Sequence, residues 1–229
     1  MSRHEPIALM LVTDRGLCGS RSVEDVVMQA IAGGVDCVQL REKQLDTRGF
    51  VERALRLKQT MRSTGVPLII NDRVDVALAA EADGVHLGQE DMPVPIARQL
   101  LGANSIIGLS VENWAQVERA QDLDVAYLGV SPIFKTLTKT DTKGAWGLGG
   151  LARIQSFSRH PLIGIGGLNQ ANIAEVVTAG AHGVAVVSAI CSALDPMQAA
   201  RELLQCIKTA KVPSLHSRNV AAITSSQVH

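Results

Sequence analysis

Short apolar, β-branched runs alternate with amphipathic stretches along nearly the whole chain, from Ile7 to about Ala210. The runs IALMLV, DCVQLR, PLII, GVHL, SIIGLS, VAYLGV, PLIGIG and GVAVVS have the length and composition of strands covered on both faces. Between them, apolar residues recur at helical spacing in VEDVVMQAIAGG, RGFVERALRLKQTMR, VPIARQLL, WAQVERAQ, ANIAEVVTAG and PMQAARELLQCI. Ser22 stands where it can cap the first helix, and Asp195-Pro196 where the pair can open the last. Gly33, Gly65, Gly102 and Gly180 sit where helices should stop.

Eight strands, each followed by a helix, is the count of a (β/α)8 TIM barrel, an α/β fold in a single domain, here expected over residues 7–211. An open doubly wound sheet is the rival, but no GxGxxG follows the first strand, which runs into TDRGLCGS. An internal echo supports the barrel. AGGVDCVQL, AEADGVHLG, DLDVAYLGV and AGAHGVAVV resemble one another and fall on the second, fourth, sixth and eighth strands, as repetition of a barrel unit would leave them. Residues 1–6 read as an N-terminal extension, and 212–229, polar and without periodicity, as a poorly ordered tail.

Composition narrows the partners. With formal net charge +0, the chain has no global electrostatic footprint for nucleic acid or an anionic membrane, so any anion site must be local. Aromatics are 3%, too few for the stacking strips of RNA-binding modules. Cys18, Cys37, Cys191 and Cys206 are scattered, with no CxxC and no His–Cys cluster, which suits reduced thiols in the cytoplasm. No apolar run approaches the about 18 residues that span a bilayer, and Asp14 and Arg15 arrive too soon for a signal peptide.

The unusual polar residues collect after the strands, where a barrel has its mouth. The second strand leads into VQLREK, so Gln39, Arg41 and Lys43 alternate with Val38 and Leu40 and share one face. IINDR supplies Asn71 and Asp72; HLGQED supplies Gln89, Glu90 and Asp91; Ser110 closes the fifth strand. Each has a plain structural reading. Arg41 and Lys43 could pair with Glu42 or Glu90, Asp72 and Asp91 could cap helices, and His86 could be a satisfied core histidine. Together, two cations, two carboxylates and an asparagine at adjacent strand ends suit a magnesium–diphosphate site, because Mg²⁺ keeps waters and shares its shell with phosphate oxygens. On the opposite side, GIGG and VVS match the phosphate corner of such barrels, although GIGG alone could be a tight turn. The segment PIFKTLTKTDTKGAWG, with four Thr and three Lys, reads as a lid after the sixth strand or as a solvated loop.

Taken in order, VQLREK, IINDR, GVHLGQED, PIFKTLTK, IGIGG and VVSAI resemble the thiamine-phosphate synthase family, from LVTD at residues 11–14 to the last helix. The resemblance implies condensation of a hydroxymethylpyrimidine diphosphate with a thiazole monophosphate, releasing pyrophosphate, with Mg²⁺ as cofactor and small molecules as the only substrates. It implies that Gln39, Leu40, Arg41, Glu42, Lys43, Asn71, Ser110 and Lys139 hold the pyrimidine diphosphate and that Asp72 and Asp91 bind Mg²⁺. Thr136, Leu137, Thr138, Gly167, Val187 and Ser188 would hold the thiazole phosphate. Arg41, Lys43 and Lys139 would stabilise the departing pyrophosphate, and like chains of this family tend to associate. A related barrel, a thiazole tautomerase, needs only the monophosphate half of the site and an acid–base residue, which would draw attention to His86. A phosphate-ligand sensor on the same scaffold is the third reading, with no use for leaving-group stabilisers.

Overall fold

The computed structural model describes residues 6–135 and 144–211. Eight strands form one closed, all-parallel barrel in sequence order: β1 (Leu9–Val12), β2 (Cys37–Leu40), β3 (Leu68–Asn71), β4 (Gly84–Leu87), β5 (Ile106–Val111), β6 (Tyr127–Val130), β7 (Leu162–Ile165) and β8 (Gly183–Val186), with β8 pairing back to β1. Around it lie α1 (Val23–Ala32), α2 (Thr47–Met61), α3 (Val74–Ala79), α4 (Val94–Leu101), α5 (Trp114–Ala120), α6 (Gly147–Phe157), α7 (Ile173–Thr178), the short α8 (Ser188–Cys191) and α9 (Pro196–Lys211). The expected barrel is the observed one. Most strands are shorter than their apolar runs, because a parallel ladder ends where the chain turns outward to begin a helix.

Two cores result. Outward-facing strand residues such as Leu9, Leu11, Val38, Leu40, Leu68 and Ile70 pack with the helices. Inside the barrel, Met10, Val12, Cys37, Ile69, Ile106, Tyr127, Ile163 and Ala185 form a second, smaller cluster. Alternation along each strand produces both layers.

The helix signals hold with one refinement. Ser22 Oγ accepts from the Asp25 N–H at 3.0 Å, and Asp195 Oδ1 accepts from Gln198 N–H at 2.9 Å ahead of α9. After α1 the left-handed residue is Gly34 (φ 108°), while Gly33 is glycine for want of room: a Cβ there would sit 2.2 Å from the Met197 carbonyl oxygen of α9.

The sequence echo has a physical basis at the opposite rim from the mouth. Asp36, Asp83 and His182 each stand immediately before an even-numbered strand and accept backbone N–H bonds from the strand before it. Asp36 takes those of Ala8 and Leu9 at 2.8 and 3.0 Å; Asp83 takes that of Leu68 at 2.8 Å; His182 Nδ1 takes that of Leu162 at 3.1 Å. Ala126 occupies the equivalent place before β6, so the device recurs in three of the four echoes. These side chains satisfy strand-starting donors that the ladder leaves over.

Asp36→Ala should therefore lower stability by about 2 kcal/mol or more in urea unfolding, since a buried donor left unpaired costs about 1–3 kcal/mol. A change below about 0.5 kcal/mol would show that the clamp is dispensable.

Candidate active site

The stretch VQLREK leaves the ladder at Leu40, so only Gln39 points inward by strand alternation. Its side chain is buried within the barrel, with Nε2 3.5 Å from Met10 Sδ. Arg41 and Lys43 lie on the loop beyond and reach the mouth in opposite directions. The Arg41 backbone N–H donates to Thr13 Oγ1 (3.1 Å), and Arg41 Nη1 lies 3.9 Å from Asp14 Oδ2. Lys43 Nζ donates to Asp72 Oδ2 at 2.6 Å. The cations thus tie the end of β2 to those of β1 and β3, and the expected partners Glu42 and Glu90 are not the ones they take. Glu42 instead pairs with Arg53 of α2, its side chain 7% exposed, and Leu40 is fully buried against the helices. Of these two, only the backbone is available to a ligand in the mouth.

Neither carboxylate expected to bind metal is a helix cap. Asp72 carries a left-handed backbone (φ 65°), pinned by its N–H donating to the His86 carbonyl at 2.8 Å, and α3 begins after Arg73 instead. A non-glycine residue in that region costs about 1–3 kcal/mol and marks a place where the surroundings dictate the backbone. Asp91 Oδ2 accepts from Gly88 N–H at 2.6 Å, closing the loop after β4, while Pro93 stands at the start of α4. The Asp72 and Asp91 carboxyls lie close enough for each to feel the other's charge. Burial pushes the Asp91 carboxyl above its ordinary range, and the neighbouring Asp72 charge adds to the shift.

Across the mouth, Gly166 (φ 102°) and Gly167 (φ 67°) follow β7 in backbone conformations that favour glycine, and a Cβ on Gly167 would lie 2.9 Å from the Lys135 carbonyl. The carbonyls of Ile165 and Gly166 accept from Ile133 and Phe134 N–H at 2.9 and 3.1 Å. In trans peptides the N–H groups of Gly166 and Gly167 then point away from that loop. Val187 lies just before α8 and Ser188 begins it. The base of the loop after β6 is further held by Trp146 and Gly147, whose N–H groups donate to Pro132 and Ile133 carbonyls at 2.9 and 3.0 Å. Thr136, Leu137, Thr138 and Lys139 lie outside the described residues.

Comparison with known proteins decides the family. The sequence profile described as thiamine monophosphate synthase matches residues 9–190. The chain is 55% identical over 205 residues to the thiamine-phosphate synthase of Albidiferax ferrireducens, covering 90% of this chain and 94% of that protein. It is 54% identical over 183 residues to the thiamine-phosphate synthase of Vibrio parahaemolyticus, covering 80% and 90%. The solved structure of thiamine phosphate pyrophosphorylase from Pyrococcus furiosus superposes with a TM-score of 0.82 at 36% identity, over 90% of this chain and 98% of that one. The chain belongs to the thiamine monophosphate synthase family. It is accordingly a transferase that moves a pyrimidinylmethyl group with release of pyrophosphate. A 3-hexulose-6-phosphate synthase structure, at 20% identity and a TM-score of 0.65, shares the fold alone.

Within this synthase fold, the remaining expected residues sit deeper than the charged ones. Asn71 is buried at the end of β3, and Ser110 is half-buried near the end of β5 with its Oγ 2.8 Å from His86 Nε2. Sequence reasoning missed Thr13 and Asp14, which receive Arg41, and Tyr127, whose hydroxyl lies 2.9 Å from His86 Nδ1. Tyr127 carried a signal: it is the one tyrosine of the chain, set in an apolar strand run and two residues before Gly129.

Because Glu42 is committed to Arg53, Glu42→Gln should lower stability by about 1.5–3 kcal/mol, the range for a charge-assisted bond, and leave KM for both substrates within about twofold. A KM change of tenfold or more at unchanged stability would place its carboxylate on the substrate.

Proposed function

We propose that the charged side of the mouth releases pyrophosphate from the pyrimidine diphosphate by a dissociative route. The thiazole nitrogen, held by its phosphate at the glycine corner, captures the resulting pyrimidinylmethyl cation. The observation that carries this reading is the charged set at neighbouring strand ends: Lys43 bonded to Asp72, Asp91 beside Asp72, and Arg41 beside Asp14. A tautomerase, which handles a monophosphate alone, has no use for such a set.

The chemistry assigns work to each group. Arg41 and Lys43 meet the negative charge that develops on the departing diphosphate, a preorganised form of stabilisation worth more in a partly desolvated mouth than in water. In the free protein Lys43 is bonded to Asp72, and Arg41 is anchored through its backbone N–H at Thr13 with its guanidinium near Asp14, so both stand at the mouth before substrate arrives. Lys139, by the family resemblance, adds a third cation from the loop after β6. Gln39, Asn71 and Ser110 line the pyrimidine side. The N–H groups of Gly166 and Gly167, with Val187 and Ser188 at the neighbouring strand end, suit the thiazole phosphate, joined by Thr136, Leu137 and Thr138. Capture needs no general base, since the attacking nitrogen carries a lone pair and no proton to lose. Holding both reactants at one mouth supplies the remaining advantage by proximity.

The residues present fit Mg²⁺. Among the described residues no three His, Cys, Asp or Glu side chains cluster as a protein-only cage. The proximity of the Asp72 and Asp91 carboxyls favours a shared proton or a shared cation. Asp72 and Asp91 would hold a cation that retains waters and neutralises diphosphate charge. Lys43, which donates to Asp72 Oδ2 at 2.6 Å, would bring its charge beside that ion to the leaving group. No helix among the described residues is long and apolar enough to cross a membrane. Free thiols at Cys18, Cys37, Cys191 and Cys206 support a reducing cytoplasmic setting for this chemistry.

Arg41→Ala and Lys43→Ala should each lower kcat about 10²–10³-fold, the scale for removing one preorganised charge-stabilising group, with thermal midpoints little changed. Full turnover in either folded variant would remove that residue from the leaving-group site. Asp72→Asn and Asp91→Asn should raise the Mg²⁺ concentration for half-maximal activity at least tenfold, whereas an unshifted Mg²⁺ titration would exclude the residue as a ligand.

A further inference from the structure

His86 and Tyr127 are polar residues in a barrel interior that is otherwise mostly aliphatic, and the synthase reading leaves both without a role. His86 of β4 stands between Asn71 of β3 and Gly108 of β5, and Gly108 in turn pairs with Tyr127 of β6. The two rings stack with centroids 5.6 Å apart and planes inclined by 21°. Space for them has been cleared. A Cβ on Gly108 would lie 2.2 Å from Tyr127 Cζ and 2.6 Å from His86 Nδ1, and one on Gly129 would lie 2.9 Å from His86 Cε1. Across the barrel, Ile163 and Ala185 fill the same interior with apolar carbon. An apolar filling was therefore open to this side as well, and burying an imidazole and a phenol costs desolvation that hydrocarbon does not.

The bonds run in one direction. Gln39 Nε2 donates to the Met10 sulfur at 3.5 Å, and the Gln39 amide also bears on the Tyr127 phenol. Burial holds the Tyr127 phenol well above its ordinary range, so it keeps its proton. A buried phenol proton needs an acceptor, and His86 Nδ1 stands 2.9 Å from the hydroxyl to take it. The imidazole is then the Nε2–H tautomer, and Nε2 donates to Ser110 Oγ at 2.8 Å. Ser110 now accepts from within, and its own proton is left to point into the mouth.

We propose that Tyr127 and His86 form a directional donor chain that fixes Ser110 as a hydrogen-bond donor to an acceptor atom, a ring nitrogen or diphosphate oxygen, of the pyrimidine-bearing substrate. His86 and Tyr127 are then positioning residues that act through Ser110, which rests on the placement of Ser110 beside that substrate in the proposed function. Removing the phenol proton frees the imidazole to take the other tautomer and the serine to turn inward. The substrate then meets a hydroxyl of the wrong polarity.

A double-mutant cycle tests this with full-length protein, Mg²⁺ and both substrates, with pyrophosphate release as the readout. Tyr127→Phe, which keeps the ring, should lower kcat/KM for the pyrimidine diphosphate about 3–10-fold, and His86→Leu about 10–100-fold. KM for the thiazole phosphate should stay unchanged in both. His86→Gln, whose amide can present a donor to Ser110, should recover most of the His86→Leu loss. In a Ser110→Ala background, Tyr127→Phe should cost less than twofold. Equal losses from Tyr127→Phe with and without Ser110 would overturn the chain, as would losses shared by both substrates in proportion to a fall in thermal midpoint. A wild-type protein that releases no pyrophosphate would remove the proposed function and this inference together. A wild type that turns over while the losses add up would remove the inference alone.

Discussion

Every strand of this barrel runs in the same direction, and that constraint arranges everything else. A parallel strand buried between helices and a packed interior has no solvated face on which to carry a charge. Eight such strands bring all their carboxy-terminal ends to one rim, so each outward turn that begins a helix can deliver a polar group to the same place. The opposite rim obeys the same rule with different residues. There Asp36, Asp83 and His182 meet the leftover backbone donors and hold the strand starts in register. The clamps gather at one end of the barrel, and the proposed site lies at the other.

The mouth balances its own charge in the free protein. Arg41 faces Asp14, Lys43 faces Asp72, and Asp72 lies beside Asp91. A chain with formal net charge +0 can nevertheless offer a strongly ionic site, because charges of both signs are held at fixed positions and can exchange partners. In the proposed reaction the substrate diphosphate would meet the cations and a divalent ion would be held by the carboxylates.

Much of this was legible in the order of residues. Periodicity, Ser22, Asp195 and the helix-ending glycines marked the elements, and parallel packing then told which end of each strand to read for chemistry. What escaped had a physical reason in each case. Glu42 looked like a third mouth residue, but β2 ends at Leu40, so alternation no longer governs it and it turns to Arg53. Asp14 and Arg41 meet across adjacent strand ends, 27 positions apart in sequence, and nothing local in either segment announces the pairing. His86 looked like a satisfied core histidine and is indeed satisfied, yet its partners Tyr127 and Ser110 come from other strands, on glycines whose purpose is clearance. The echo among even strands was visible, whereas its cause, side chains clamping the preceding strand, required the register.

The most direct test of the central claim is the stoichiometry of pyrophosphate release by the purified protein, given pyrimidine diphosphate with and without thiazole phosphate, in Mg²⁺ and in EDTA. Release that needs Mg²⁺ and thiazole phosphate, with thiamine phosphate formed in equal amount, is the result predicted for two sites joined at one mouth. No release from folded, Mg²⁺-supplied protein, or release with no thiamine phosphate formed, would contradict it.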